Sequence, residues 1–152
     1  MKKTVKFLAV LFWMAMIFFF SAQNAEQSGN MSSGLIVKIA ELVLPGNLTS
    51  SDQHMLIAQF SFILRKTAHF SVYLVLGILV LNFLKEFRLK HILVIALIIC
   101  CFYSISDEYH QTFVPGRSGE VRDVCIDTAG AFTGISIGEL VLYVLSERKK
   151  NK

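Results

Sequence analysis

Ile92-Leu93-Val94-Ile95-Ala96-Leu97-Ile98-Ile99-Cys100-Cys101-Phe102-Tyr103-Ser104-Ile105-Ser106-Asp107-Glu108 is the stretch that decides how this chain folds. Residues 92–106 carry no charge. As a helix rising about 1.5 Å per residue they reach only about 22 Å of the roughly 30 Å of hydrocarbon a span must cross. To finish the crossing, the run must carry Asp107 and Glu108 into the edge of the bilayer. Ionised groups are expensive there unless they face other helices instead of lipid. The stretch therefore reads both as a membrane span and as one wall of a polar site.

Working outward, three more apolar runs occupy 5–22, 67–84 and 124–145. With 92–108 they predict an all-α fold: an integral membrane four-helix bundle, one domain over 1–152, with a partly helical extracytoplasmic segment at 23–66. Composition agrees. Hydrophobic residues make up 54% of the chain and charged residues 17%, against about 45–50% and about 25% in soluble domains. The net charge of +4 does not point to nucleic acid, because the basic residues flank apolar runs and no nucleic-acid motif is present.

Their distribution orients the chain. With four spans, Lys2, Lys3, Lys6, Lys85, Arg88, Lys90, Arg148, Lys149, Lys150 and Lys152 share one side, and Lys38, Arg65, Lys66, Arg117 and Arg122 share the other. The richer side is expected to be cytoplasmic, with both termini there, in a bacterial cytoplasmic membrane. The run at 5–22 also resembles a secretory signal peptide, with its three lysines and small Ser21 and Ala22. It lacks a clean A-x-A site and is expected to stay as a span. Cys100, Cys101 and Cys125 lie within apolar runs and read as small core residues, not a disulfide framework.

In the segment 23–66, residues 35–44 are too short to span and predict an interfacial helix ended by Pro45-Gly46. A second helix, capped by Ser51 or Asp52, should lead into Arg65. Asn47-Leu48-Thr49 is a formal glycosylation sequon that carries no weight. The basic link 85–91 makes the second and third spans an antiparallel hairpin. Gly130, Gly134 and Gly138 form a doubled small-xxx-small pattern, a helix-packing seam either inside the bundle or between copies in a homo-oligomer.

The charged residues gather where three of these runs meet one surface. Arg65, His69 and Tyr73 recur every fourth position, a polar stripe descending into the bundle beside Lys66. Asp107 and Gln111 share a face, Glu108 is turned toward Gln111 or the following loop, and His110 lies nearby. Asp123 and Asp127 stand one turn apart at the start of the last span. The loop Val114-Pro115-Gly116-Arg117 can fold Arg117 back over the acids. Mutual neutralisation that fixes helix register is the simplest reading.

A recognition pocket is the leading functional one. Arg65, Lys66 and Arg117 would receive phosphate or carboxylate, and His69, Asp107, Glu108, His110, Gln111, Asp123 and Asp127 would complete the site. Acid–base catalysis through His69, Glu108 or Asp127 is the alternative, and scaffolding of membrane partners through Gly130–Gly138 is the third. A metal variant would use His69, His110, Glu108, Asp123 or Asp127, but Glu108-x-His110 has no established ligand spacing on a helix, where i and i+2 diverge, so no metal is expected; nor is a cofactor.

Three blocks carry a resemblance: Arg65-Lys66-Thr67-Ala68-His69-Phe70-Ser71-Val72-Tyr73; Ser106-Asp107-Glu108-Tyr109-His110-Gln111-Thr112-Phe113-Val114-Pro115-Gly116-Arg117; and Asp123-Val124-Cys125-Ile126-Asp127-Thr128-Ala129-Gly130. In order and content they resemble the signature blocks of the VanZ-like membrane proteins, and Phe20-Ser21-Ala22-Gln23 is similar to that family's opening pattern. The resemblance implies a small bacterial envelope protein, in a family associated with reduced sensitivity to the glycopeptide teicoplanin. It also implies that Arg65, Lys66, His69, Asp107, Glu108, Gln111, Arg117, Asp123 and Asp127 are the motif residues. The partners it leads one to expect are the lipid bilayer and a lipid-linked envelope precursor or glycopeptide, not nucleic acid.

Overall fold

The computed structural model describes residues 2–43 and 49–150, with side chains through Arg148. Among the described residues five α-helices follow one another: α1 (Lys2–Ser21), α2 (Ala25–Val43), α3 (Ser50–Leu84), α4 (Ile92–Gln111) and α5 (Val121–Lys150). There is no strand among the described residues. α1, α3, α4 and α5 are each long and apolar enough to cross a membrane. The pattern of exposure is that of a chain solvated by lipid. Phe12, Phe102, Phe132 and Leu140 point outward, whereas Ser104, Asp107, Glu108, Gln111, Asp123 and Asp127 are buried.

The segment between the first two spans is more helical than its apolar pattern suggests. α2 begins at Ala25, ten residues before the expected start at 35. The cause is a reciprocal cap: Asn24 Oδ1 accepts from the Gln27 backbone N–H at 2.8 Å, and Gln27 Oε1 accepts from the Asn24 N–H at 3.2 Å. This closes two of the donors that every helix start leaves open. Pro45-Gly46, the expected stop, and most of the sequon lie outside the described residues.

The cap of the next helix is Thr49, not Ser51 or Asp52. Its hydroxyl accepts from the Asp52 N–H while the Asp52 carboxylate accepts from the Thr49 N–H, so Asp52 serves as the third residue of the box. The expected second outer helix is also not a separate element. Ser50–Leu84 is one helix of 35 residues, about 52 Å long at 1.5 Å per residue, so its first turns project beyond a roughly 30 Å hydrocarbon layer. α4 likewise runs on to Gln111 and α5 from Val121, each past the expected limits of its span.

α3 and α5 pack most intimately. A Cβ on Gly130 would meet the Phe70 backbone, one on Gly134 the Leu74 backbone, and one on Gly77 the Ala131 backbone. Small residues here bring main chains into direct contact, which supplies the dispersion that apolar lipid cannot. The glycine seam is therefore occupied within the chain. Tyr73, Leu76, Val80 and Leu81 of α3, Ala96 and Cys100 of α4, Ala131 and Ile135 of α5, and Val10 and Ile17 of α1 form the core. Midway along α1, Trp13 Nε1 donates to the Val72 carbonyl at 2.8 Å and the Tyr103 hydroxyl donates to the Met14 carbonyl at 2.6 Å, tying it to α3 and α4. Of the three free cysteines only Cys100 is core; Cys101 is half-buried and Cys125 exposed, which corrects the expectation for Cys125.

α3 and α4 form the expected hairpin through a 3₁₀ turn at Lys85–Phe87, with Arg88 and His91 at positive φ. At this end of the bundle Lys6 pairs with Glu86, and Lys85 with Glu139 at 2.6 Å. Glu139 is thus accounted for by a pair next to the helix ends.

Candidate functional site

The opposite end holds the charges, and each arrives on a separate helix for a local reason. The every-fourth-residue stripe on α3 grades from exposed Arg65 through half-buried His69 to fully buried Tyr73. α5 brings Asp127, wholly buried, with Asp123 one turn nearer the surface and 7% exposed. α4 ends in Ser104, Asp107, Glu108 and Gln111, all turned inward. The link that follows makes a tight turn, with the Arg117 N–H bonded to the Val114 carbonyl and Gly116 at φ +75°. Glycine is favoured there because a Cβ opposes that backbone conformation.

Two hydrogen-bonded strings result. In the first, Arg117 Nη1 donates to Gln111 Oε1 at 3.1 Å. Gln111 Nε2 donates to Glu108 Oε1 at 2.9 Å, and the Glu120 backbone N–H reaches Glu108 Oε2 at 3.0 Å. In the second, the Ser104 hydroxyl donates to Asp127 Oδ2 at 2.8 Å while His69 Nδ1 stands 3.3 Å from Asp127 Oδ1. A proton on Nδ1 facing that carboxylate leaves Nε2 free to accept a proton or to ligate. Lys66 lies outside both strings, paired with Asp123 and, at 3.6 Å, with Glu120.

Asp107 is the exception. It is 3% exposed, and neither carboxylate oxygen has a hydrogen-bond partner among the described residues. Ser21 approaches from α1 without closing a well-formed bond, and Asp127, His69, His110 and Arg117 are within electrostatic reach. The buried Tyr73 hydroxyl, near Ser104, Asp107 and Asp127, likewise closes no well-formed bond among the described residues.

Beside these groups lies a cavity of about 470 Å³, within the roughly 300–1,000 Å³ usual for ligand sites. One wall is apolar, built from Trp13, Ile17 and Phe20 of α1 and Leu35 of α2. The other carries Arg65, Lys66, His69, Asp107, Gln111, Arg117 and Asp123. Arg65 and Arg117 act on each other as like charges, and neither has a carboxylate ion pair among the described residues. Burial, and then Arg65, pull the Arg117 pKa below its ordinary value. Glu120, in the link before α5, is held below the usual carboxylate range, first by Arg122 and then by Lys66.

Nine of the ten candidate ligand residues thus gather as expected. Seven line the cavity, and Glu108 and Asp127 lie behind it. His110 does not join them. Its ring stacks on Phe18 with centroids 4.3 Å apart, although it stays near enough to Asp107 to act on its charge. Sequence reasoning missed α2 as a wall of the cavity, and it missed Ser104, whose only signal is its place one turn before Asp107 and Glu108. One nitrogen of His69 and one oxygen each of Glu108 and Asp127 also lie within 4.8 Å of one another. That proximity arises across three helices, and no local spacing discloses it.

A family model described as VanZ/LLP1 matches residues 6–144, nearly the whole chain. Neither the curated proteins nor the solved structures contain a match.

Proposed function

We propose, for a chain that belongs to the VanZ/LLP1 family, that the cavity receives the anionic headgroup of an envelope lipid or lipid-linked precursor, and that the protein thereby lowers susceptibility to glycopeptides such as teicoplanin. The observation that carries this is the pairing of two guanidiniums without an ion-pair partner among the described residues, Arg65 and Arg117, with a wall made of Trp13, Ile17, Phe20 and Leu35. Guanidinium forks suit phosphate and carboxylate oxygens, and an apolar wall at the bilayer edge suits the first part of an acyl or prenyl chain. The cavity is too small to enclose a whole glycopeptide, so the ligand is the antibiotic's lipid-linked target or a competitor for it. On the positive-inside rule the site belongs to the outer leaflet.

Native mass spectrometry of the detergent-purified chain, offered a polyprenyl phosphate and phosphatidylcholine, tests this. The phosphate is expected to be retained through Arg65 and Arg117 and the zwitterion is not. Cells expressing the chain should tolerate more teicoplanin, and the Arg65→Gln/Arg117→Gln pair should lose that gain at equal membrane level. Equal retention of both lipids overturns the reading.

A membrane-embedded acid–base enzyme is the second reading, favoured by the Ser104–Asp127–His69 string with His69 on the cavity wall. Hydrolysis of a polyprenyl phosphate by water to the prenyl alcohol and inorganic phosphate, abolished by Asp127→Asn, would identify it. Binding without turnover keeps the first reading.

A further inference from the structure

Asp107, Glu108 and Asp127 place three carboxylates in one buried layer, at 3%, 4% and 0% exposure. The nearby fixed cations form no ion pair with any of the three: Lys66 pairs with Asp123 and Glu120, and Arg117 donates to the Gln111 amide and acts on Asp107 and Glu108 only through space. Among the described residues only His69 contacts any of the three as a basic group, at Asp127. Three carboxylates so deeply buried cannot all ionise without a cation in contact, and that single imidazole touches only one of them. Two independent observations locate where it belongs. His69, Glu108 and Asp127 each offer a ligand atom within 4.8 Å of the others, from three different helices. The two Asp107 oxygens, unpartnered, lie within electrostatic reach of Asp127, His69, His110 and Arg117.

We propose that His69, Glu108 and Asp127, with the unpartnered Asp107 carboxylate beside them, bind a divalent cation of the manganese-to-zinc class. One imidazole among carboxylates is the donor set of those ions, whereas magnesium and calcium prefer oxygen alone. The arrangement around the set resembles the support that metal ligands need. Ser104 orients Asp127, and Gln111 with the Glu120 backbone N–H orients Glu108, the kind of outer contacts that fix ligand geometry. His69 and Asp107 also line the cavity, so a cation held here faces the space between Arg65 and Arg117. Cation binding does not depend on the headgroup reading, and each can fail without the other.

The test uses the full chain in detergent, stripped with a chelator and titrated with Mn²⁺, with free Mn²⁺ read by electron paramagnetic resonance. One saturable site per chain is expected. Glu108→Gln and Asp107→Asn should weaken it at least about tenfold, while Glu139→Gln, at the other end of the bundle, should not change it. Because the buried variants can fail to fold, a second measurement uses the wild type alone. With labelled histidines, substoichiometric Mn²⁺ should broaden the His69 signal before those of His54 and His91. Absence of saturable binding, full affinity in a folded Glu108→Gln chain, or uniform broadening of the histidines overturns the proposal.

Discussion

Replacing Gly134 by alanine tests the helix seam on which the site is built. A methyl at that position would lie 2.8 Å from the Leu74 carbonyl carbon and 3.0 Å from its Cα, and closer still to the carbonyl oxygen. Ordinary carbon contacts are about 3.5–4.0 Å, so α3 and α5 must separate by about 1 Å. The obstacle is backbone, which cannot turn aside as a side chain would. The separation also loosens the neighbouring approaches at Gly130 and Gly77, and overpacking of this kind costs about 1–3 kcal/mol. Gly138→Ala makes the internal comparison. Its methyl would meet the Leu81 Cδ2 at 3.2 Å, a flexible tip that can move, so the change should be close to neutral. Gly29→Ala in α2 has open space and should stabilise by about 0.5–1 kcal/mol through backbone entropy. Reversible unfolding in mixed micelles measures all three. If Gly134→Ala is as stable as Gly138→Ala, the backbone contact between α3 and α5 does not exist.

Asp107→Asn in chelator-treated protein should raise stability, because it removes a buried carboxylate with no partner; an unchanged unfolding midpoint would show that the carboxylate is already compensated. Thr49→Ala should cost about 1 kcal/mol by opening the cap of α3, seen as earlier exchange of the first amides of that helix. Glu120 has its pKa depressed in the folded chain, so its contribution is present above the ordinary carboxylate range and is lost as pH falls through the folded value. Glu120→Gln should therefore differ from wild type near pH 7 and converge with it near pH 3 in unfolding measurements, and a gap that persists in acid contradicts the assignment.

The four spans were legible because lipid imposes length and apolarity on each helix separately. The inward turn of Asp107 and Glu108 was legible for the same reason, since ionised groups facing acyl chains are excluded. The early start of α2 was present in the sequence as Asn24-x-x-Gln27, a polar box masked by the Gly- and Ser-rich residues that follow it. What no single helix reveals is register between helices. Ser104 bonds to Asp127 because α4 and α5 cross at that level, and His110 stacks on Phe18 because α1 ends beside it. Cys125 is exposed, as is Ala129 one turn on, while Asp123 and Asp127 on either side of it are buried; this likewise follows from which face of α5 meets α3.

Trp13 is the single tryptophan of the chain and lines the cavity, with its indole N–H on the Val72 carbonyl. A titration of its fluorescence with short-chain phosphatidic acid, in micelles of a neutral detergent, reads headgroup binding at the site itself. The account predicts a saturable spectral change, absent with short-chain phosphatidylcholine. In Arg65→Gln/Arg117→Gln it should be shifted to at least about tenfold higher concentration, since each charge-assisted bond is worth about 1.5–3 kcal/mol. An equal response to the two lipids, or an undiminished response in the folded double variant, would contradict it.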